Sequence, residues 1–303
     1  MATPEQLERI VVMWKDSVPL APEATPLDWR REFEALCAKF PLPDDIEVEE
    51  VDAGGVPALR VSAPGVSSDR TLIHFHSGGY VMGSPTGYRE FGYRLSRAAD
   101  APVLLPDYRL APEHIYPAAL EDALTVYRWA ATQEDPSRIV TSGDSAGGGL
   151  NIATLVALRD AGDTLPAAAV TISPLTDLAA EGESYANFPE KDPVINQKLA
   201  IGMGMVYMGE GRAAKDTPLA SPLYADLQGL PPFFVVAGDW EAIHSDSSRF
   251  VDKVKAAGGE AEFLVGEGLL HIYPLFASII EEGQQAIDQI GKFVQDRTPV
   301  GVS

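Results

Sequence analysis

The chain has 303 residues, 46% of them hydrophobic, enough for one large domain or two small ones with a substantial core. It carries 44 acidic against 23 basic residues, and a net charge of −21 argues against nucleic acid and anionic membranes as partners. Its one cysteine, Cys37, excludes an intramolecular disulfide, and no apolar run reaches the length of a membrane span.

The first residues are not basic, and the apolar run at 10–14 is too short for a signal peptide, so a cytoplasmic protein is expected. Leu7, Ile10, Val11 and Trp14 fall at i, i+3, i+4 and i+7 and predict an amphipathic helix. A proline-rich stretch from Pro19 to Pro26 breaks it. A second helix is predicted behind Thr25 as N-cap, with Pro26 in the first helical position and Asp28 completing a capping-box-like pair. Its stripe is Phe33, Leu36, Cys37 and Phe40. Two amphipathic helices ahead of any strand need an apolar surface to cover, either the core or a pocket.

Residues 46–51 and 56–62 alternate around Ala53-Gly54-Gly55 and predict a β-hairpin. Residues 71–75 form a short apolar strand that ends in His76-Ser77-Gly78-Gly79-Tyr80. A strand at 102–106 leads into the run 107–114, and a helix follows at 117–131. Further strands are predicted at 138–141, 167–173, 233–237 and 260–265, the first with a helix at 146–160 behind it. Strands alternating with helices predict an α/β fold on a mostly parallel sheet. The segment 178–223 interrupts that rhythm. It holds a helix at 196–208 that is apolar nearly all round, with Leu199, Ile201, Met203, Met205, Val206, Tyr207 and Met208. Such a helix is buried or covers an apolar cavity.

Chemistry enters at Gly143-Asp144-Ser145-Ala146-Gly147, a serine with glycine two residues before and two after, set between strand and helix. That is the G-x-S-x-G nucleophile elbow, and its tight turn exposes Ser145 Oγ at a helix N-terminus. A dinucleotide-binding loop needs glycine where Ser145 stands, and a Walker loop needs Gly-Lys-Ser/Thr; neither is present. Acyl transfer also needs an oxyanion site. The N–H of Ala146 and those of Gly78 and Gly79 on the earlier glycine-rich loop are the candidates.

The base must be a histidine. His74 and His76 form a His-x-His pair, but no cluster with ligand spacing supports a metal there. His74 reads as a packed residue and His76 as a loop anchor. Arg109 and Glu113, flanking the stretch before His114, read as a brace for the oxyanion loop. In hydrolases built on such an elbow the triad runs Ser, acid, His along the chain. Only His244 and His271 follow Ser145, and only His271 follows the last strand, so His271 is the base. The acid is expected in the loop after the strand at 233–237, where Asp239, Glu241 and Asp246 compete. Asp246 reads as the cap of a helix at 247–257.

The combination His76-Ser77-Gly78-Gly79, the run 107–114, Gly143-Asp144-Ser145-Ala146-Gly147-Gly148, Ser173-Pro174-Leu175-Thr176-Asp177, the run 219–227 and Gly229-Leu230-Pro231-Pro232 resembles the hormone-sensitive-lipase-like branch of the α/β-hydrolases. Within it, the chain looks like the bacterial carboxylesterases. The resemblance implies an α/β-hydrolase fold with an eight-stranded, mostly parallel sheet. It implies a helical cap built from residues 1–45 and an insertion at about 178–223 on a catalytic domain of residues 46–303. It places the triad acid at Glu241. Ser77 stands where the pattern usually has a third glycine, a departure that should spare the Gly78 and Gly79 donors.

The implied activity is hydrolysis of short-chain carboxylic esters through an acyl-enzyme, with no cofactor. Met203, Met205 and Met208 are candidates for lining the pocket, and a homodimer paired through the last strand's edge is a candidate assembly. Lactone or carbamate hydrolysis on the same triad is the alternative chemistry. A non-catalytic receptor of the same fold is the alternative class, disfavoured because such receptors lack the histidine this chain keeps.

Overall fold

The computed structural model describes residues 1–17, 24–187, 192 and 195–299. Eight strands form one sheet: β1 (Glu47–Asp52), β2 (Pro57–Ser62), β3 (Thr71–Phe75), β4 (Val103–Pro106), β5 (Ile139–Asp144), β6 (Ala168–Ile172), β7 (Phe233–Gly238) and β8 (Ala261–Gly266). Their order across the sheet is β1-β2-β4-β3-β5-β6-β7-β8. β1 and β2 form the hairpin, and β2 also runs antiparallel to β4. Every other neighbouring pair is parallel. This is the eight-stranded, mostly parallel sheet of the α/β-hydrolase fold.

The helices are α1 (Pro4–Ser17), α2 (Pro26–Cys37), α3 (Arg89–Ala99), α4 (Ala118–Gln133), α5 (Ala146–Ala161), α6 (Ser184–Asn187), α7 (Gln197–Met208), α8 (His244–Ala256) and α9 (Glu281–Arg297). Among the described residues, no helix is long and apolar enough to cross a membrane.

Every residue of β4, β5, β6 and β7 is buried, because helices cover both faces of the sheet. The two-residue period of a strand sends alternate side chains to opposite layers. Leu72 packs in the layer of α3 and α9, and Ile73 in the layer of α4 and α5. The chain passes from β3 outward to β4 and then back to β5 on the other side of β3. That reversal opens a crevice at the carboxyl ends of β3 and β5, the general binding position in such sheets.

Two helices depart from expectation. α3 has no counterpart among the predicted elements. Phe91, Leu95 and Ala99 give it a stripe at i, i+4, i+8, but Gly92 and three arginines interrupt its apolar pattern. α8 begins at His244, so Asp246 lies inside its first turn and not ahead of it.

α1 and α2 lie on the layer that also holds α9. Thr25 and Asp28 form a full capping box at the start of α2. Ile10, Met13, Trp14, Phe33, Leu36, Cys37 and Phe40 are all buried in one cluster with Met203 of α7 and Phe276. Burying each large apolar side chain contributes about 1.5–3 kcal/mol, so packing is enough to hold these helices down. Most of the proline-rich stretch from Pro19 lies outside the described residues.

Candidate active site

Ser145 stands between β5 and α5 with φ 52° and ψ −119°, a conformation side chains rarely adopt. The turn is fixed by its surroundings. Ser145 N–H donates to Ile172 O on β6 at 2.8 Å, and its carbonyl accepts from Leu175 N at 2.8 Å and Gly149 N at 3.0 Å. Gly147 is required because a Cβ there would lie 2.0 Å from the carbonyl oxygen of Phe75 on β3. Strained backbone gathers here: Tyr80, Ser173 and Ile272 also have positive φ, at 65°, 44° and 44°.

His271 and Glu241 arrive on the loops after β8 and β7. The loops are tied together by Asp239, whose carboxylate accepts from Gly268 N at 2.6 Å, and by Trp240 N–H donating to Leu269 O at 3.1 Å. His271 Nε2 then lies 3.0 Å from Ser145 Oγ, and its Nδ1 lies 2.8 Å from Glu241 Oε2. Ser145, His271 and Glu241 are 6%, 3% and 0% exposed. Burial alone pushes the imidazole pKa down. The hydrogen bond and charge of Glu241 outweigh it, Asp192 and Asp144 add to them, and the His271 pKa is raised above its ordinary value.

The rival carboxylates are engaged elsewhere. Asp239 binds the β8 loop, as described. Asp246 does not cap α8: its Oδ2 accepts the N–H groups of Thr176 and Asp177, each at 2.8 Å, and so pins the loop after β6. Burial pushes its pKa up to about 8, against those two N–H bonds and the Arg249 charge.

Gly78 and Gly79 follow β3 with φ 123° and 61°. Among the described residues, no acceptor in the chain takes either N–H. Both glycines, with Ser77, Ser145 and His271, line one pocket whose free volume is about 30 Å³. Trp14 and Phe33 from α1 and α2, and Leu199, Ala200 and Met203 from α7, supply its apolar roof. Met203 sits directly on the loop: a Cβ on Gly79 would meet its sulfur at 2.3 Å. The other two methionines are not there. Met205 is 64% exposed on the outer face of α7, and Met208 is buried in the layer with Leu178 and Tyr207. With 3.6 residues per turn, one helix face cannot present all three. Met82, Leu175, Ile195 and Ile243 line the pocket and were not singled out by sequence. A larger open groove of about 450 Å³, lined by Glu50, Asp52 and Asp107, holds none of the residues above.

The two early histidines are structural. His74 Nε2 lies 3.1 Å from Asp144 Oδ1, and its Nδ1 lies 2.9 Å from Ser142 Oγ. His76 stacks on Tyr108 at 4.3 Å between ring centroids, and its Nδ1 lies 2.7 Å from Ser77 O. Burial lowers its pKa to about 4, so the ring is neutral near pH 7. Among the described residues, no group of three or more His, Cys, Asp or Glu side chains is placed to hold a metal ion. The expected brace divides. Arg109 pairs with Asp122 at 2.8 Å on α4 and not with the loop of Gly78 and Gly79. Glu113 pairs with Arg30, which donates to Val81 O at 2.8 Å just beyond that loop.

The sheet and this constellation of serine, histidine and carboxylate define an α/β hydrolase. The profile of a family described as alpha/beta hydrolase fold matches residues 72–275. The chain belongs to that family, in the branch of the bacterial hormone-sensitive-lipase-like esterases. It is similar to a solved esterase from the bacterial hormone-sensitive lipase family, at 42% identity and TM-score 0.94 over 98% of this chain and 100% of that one. It is similar to EstE5, a structure soaked with p-nitrophenyl butyrate, at 37% identity and TM-score 0.92 over 99% and 100% of the two chains. Among curated proteins, an acetyl-hydrolase of Streptomyces hygroscopicus is 38% identical over 242 residues, 79% of this chain and 80% of that protein.

Proposed function

We propose that this protein is a serine carboxylesterase that hydrolyses short-chain carboxylic esters through a Ser145–His271–Glu241 triad. The observation that carries the reading is the unbroken hydrogen-bonded line from Glu241 through His271 to Ser145 beside two untaken N–H donors. His271 Nε2 takes the Ser145 proton as Oγ attacks the ester carbonyl. The N–H groups of Gly78, Gly79 and Ala146 stabilise the developing oxyanion, and removing one such donor typically costs about 3 kcal/mol. His271 then protonates the leaving alcohol, and water activated the same way releases the acid from the acyl-enzyme. Glu241 holds the imidazole tautomer and stabilises the imidazolium. In this reading residues 1–45 and the insertion at about 178–223 act as the cap, since α1, α2 and α7 roof the pocket. The test is turnover of p-nitrophenyl acetate by the purified protein. No turnover of any short ester would favour the receptor reading, which the retained His271 opposes.

The apolar side chains of Trp14, Phe33, Leu199 and Met203 close the space beside Ser145, which supports a small acyl group. We expect kcat/KM to be highest between about C2 and C8 and to fall for longer chains. Met203→Ala should move the preference toward longer acyl groups, because Met203 fills the space over Gly79. A series of p-nitrophenyl esters measures both, and rates rising steadily to long chains would refute the short-chain assignment.

Every charge in the scheme is handled by a side chain or a backbone donor, so dialysis against EDTA should leave turnover unchanged. A loss restored by zinc would contradict this. β8 lies at an edge of the sheet, and light scattering decides whether two copies pair through it.

A further inference from the structure

We propose that Tyr88 is a positioning residue for the oxyanion loop, bridging Ser77 on that loop to Asp144, the residue ahead of the nucleophile. The proposal rests on the esterase reading above. Tyr88 immediately precedes α3, the helix the sequence pattern did not reveal, and its side chain is fully buried. Its hydroxyl lies 2.6 Å from Asp144 Oδ2, 2.5 Å from Ser77 Oγ and 3.2 Å from Ser77 N.

A phenolic hydroxyl has one proton to donate and can accept two. The carboxylate takes that proton, so the Ser77 hydroxyl and N–H both donate to the phenol oxygen, and its capacity is full. Burial and the neighbouring Asp144 charge keep the phenol protonated, raising its pKa well above the ordinary tyrosine value. Asp144 is held in turn. Its Oδ1 faces His74 Nε2, and the other ring nitrogen of His74 faces Ser142 Oγ on β5. Each polar group in this line has a partner, and each is at most 2% exposed.

The bridge sets a distance that chemistry depends on. Ser145 must stand at the right separation from the donors on Gly78 and Gly79, yet these belong to different elements. Gly78, Gly79 and Tyr80 all have positive φ, and such a loop keeps its shape only if its surroundings hold it. Met82 N–H, donating to Gly78 O at 3.0 Å, holds the far side. Ser77 holds the near side through Tyr88. A glycine at position 77 would keep the N–H bond and lose the shorter Oγ bond. The bridge also occupies the Ser77 N–H, which leaves Gly78, Gly79 and Ala146 as the donors facing substrate.

The test compares the parent with Tyr88→Phe, Ser77→Ala and the double variant. It reads kcat and KM on p-nitrophenyl acetate, the affinity for a boronic acid that forms a tetrahedral adduct on the serine, and Tm. Tyr88→Phe should lower kcat about ten- to a hundredfold, as small misplacements at a reacting centre do. KM should stay within about twofold, and boronate affinity should fall by the same factor as kcat. Ser77→Ala should shift kcat the same way by less, and the double variant should be no worse than Tyr88→Phe, because both residues act through one bridge.

A Tyr88→Phe enzyme with kcat within about twofold of the parent would overturn the proposal. So would a loss carried by KM, or boronate affinity unchanged while kcat falls. If Tyr88→Phe does not fold, Ser77→Ala decides, and an unchanged kcat there overturns it. Ser145→Ala is the control. Activity retained in that variant removes the Ser145 triad on which the proposal rests, whereas an inactive Ser145→Ala beside an unaffected Tyr88→Phe removes only the bridge.

Discussion

Replacing Ser145 by alanine lowers kcat for ester hydrolysis by about six orders of magnitude, the scale of losing a serine nucleophile, while the fold and ligand binding persist. The expectation follows from position. Ser145 Oγ is the atom that His271 Nε2 faces at 3.0 Å, and among the described residues no other serine or threonine hydroxyl bonds to that ring. Alanine also relieves nothing in the packing, since the backbone at 145 is held by bonds to Ile172, Leu175 and Gly149 that do not involve the side chain. Steady-state kinetics on pure protein, with circular dichroism and binding of a non-hydrolysable ester analogue, measures the outcome. Activity within tenfold of the parent would remove the nucleophile assignment.

The second large effect separates Glu241 from Asp246. Glu241→Gln should lower kcat about ten-thousandfold with the fold intact, as loss of a triad acid does. Asp246→Asn should cost some stability and far less rate, because its carboxylate accepts the Thr176 and Asp177 N–H groups and not the histidine. Reversed phenotypes would make Asp246 the acid. Glu241→Gln carries a second signature in pH. Glu241 is what lifts the His271 pKa against burial. Its hydrogen bond and charge favour the imidazolium, so their removal lowers that pKa. Hydrolysis needs the neutral ring, and activity falls as pH drops through the pKa. The acid limb of kcat/KM for the residual activity should therefore move to lower pH in Glu241→Gln. A limb that moves upward, or does not move, would mean that Glu241 does not face the ring in solution.

Legibility differed between parts of the site for a physical reason. The elbow was readable because its constraint is local: a turn that brings Gly147 against the backbone of β3 demands small residues at fixed spacing around one serine. The capping box of Thr25 and Asp28, the hairpin and the buried strands were readable for the same cause, since caps, turns and periodicity act within a few residues. α3 was not, because the burial of Phe91 and Leu95 under α9 and β2 gives that segment its helical partner surface, and its own sequence is rich in charge. Met205 and Met208 lie off the pocket, since composition names an apolar helix but not which face of it meets the pocket.

By itself the sequence determined the alternation of strands and helices, the serine and its glycines, the order in which a base must follow it, and the absence of a disulfide. Only the tertiary structure decided which groups meet. Ser145 and His271 are 126 positions apart and lie on different strands' loops, and their contact exists because parallel β5 and β8 end on the same side of the sheet. Asp246 was assigned to the cap of its own helix, and the fold turned it instead toward the loop after β6. Tyr88 and Asp144 had no signal linking them, being 56 positions apart with ordinary neighbours. Hydrogen bonds of 3 Å depend on how elements pack, and packing is a property of the whole chain that no short window carries.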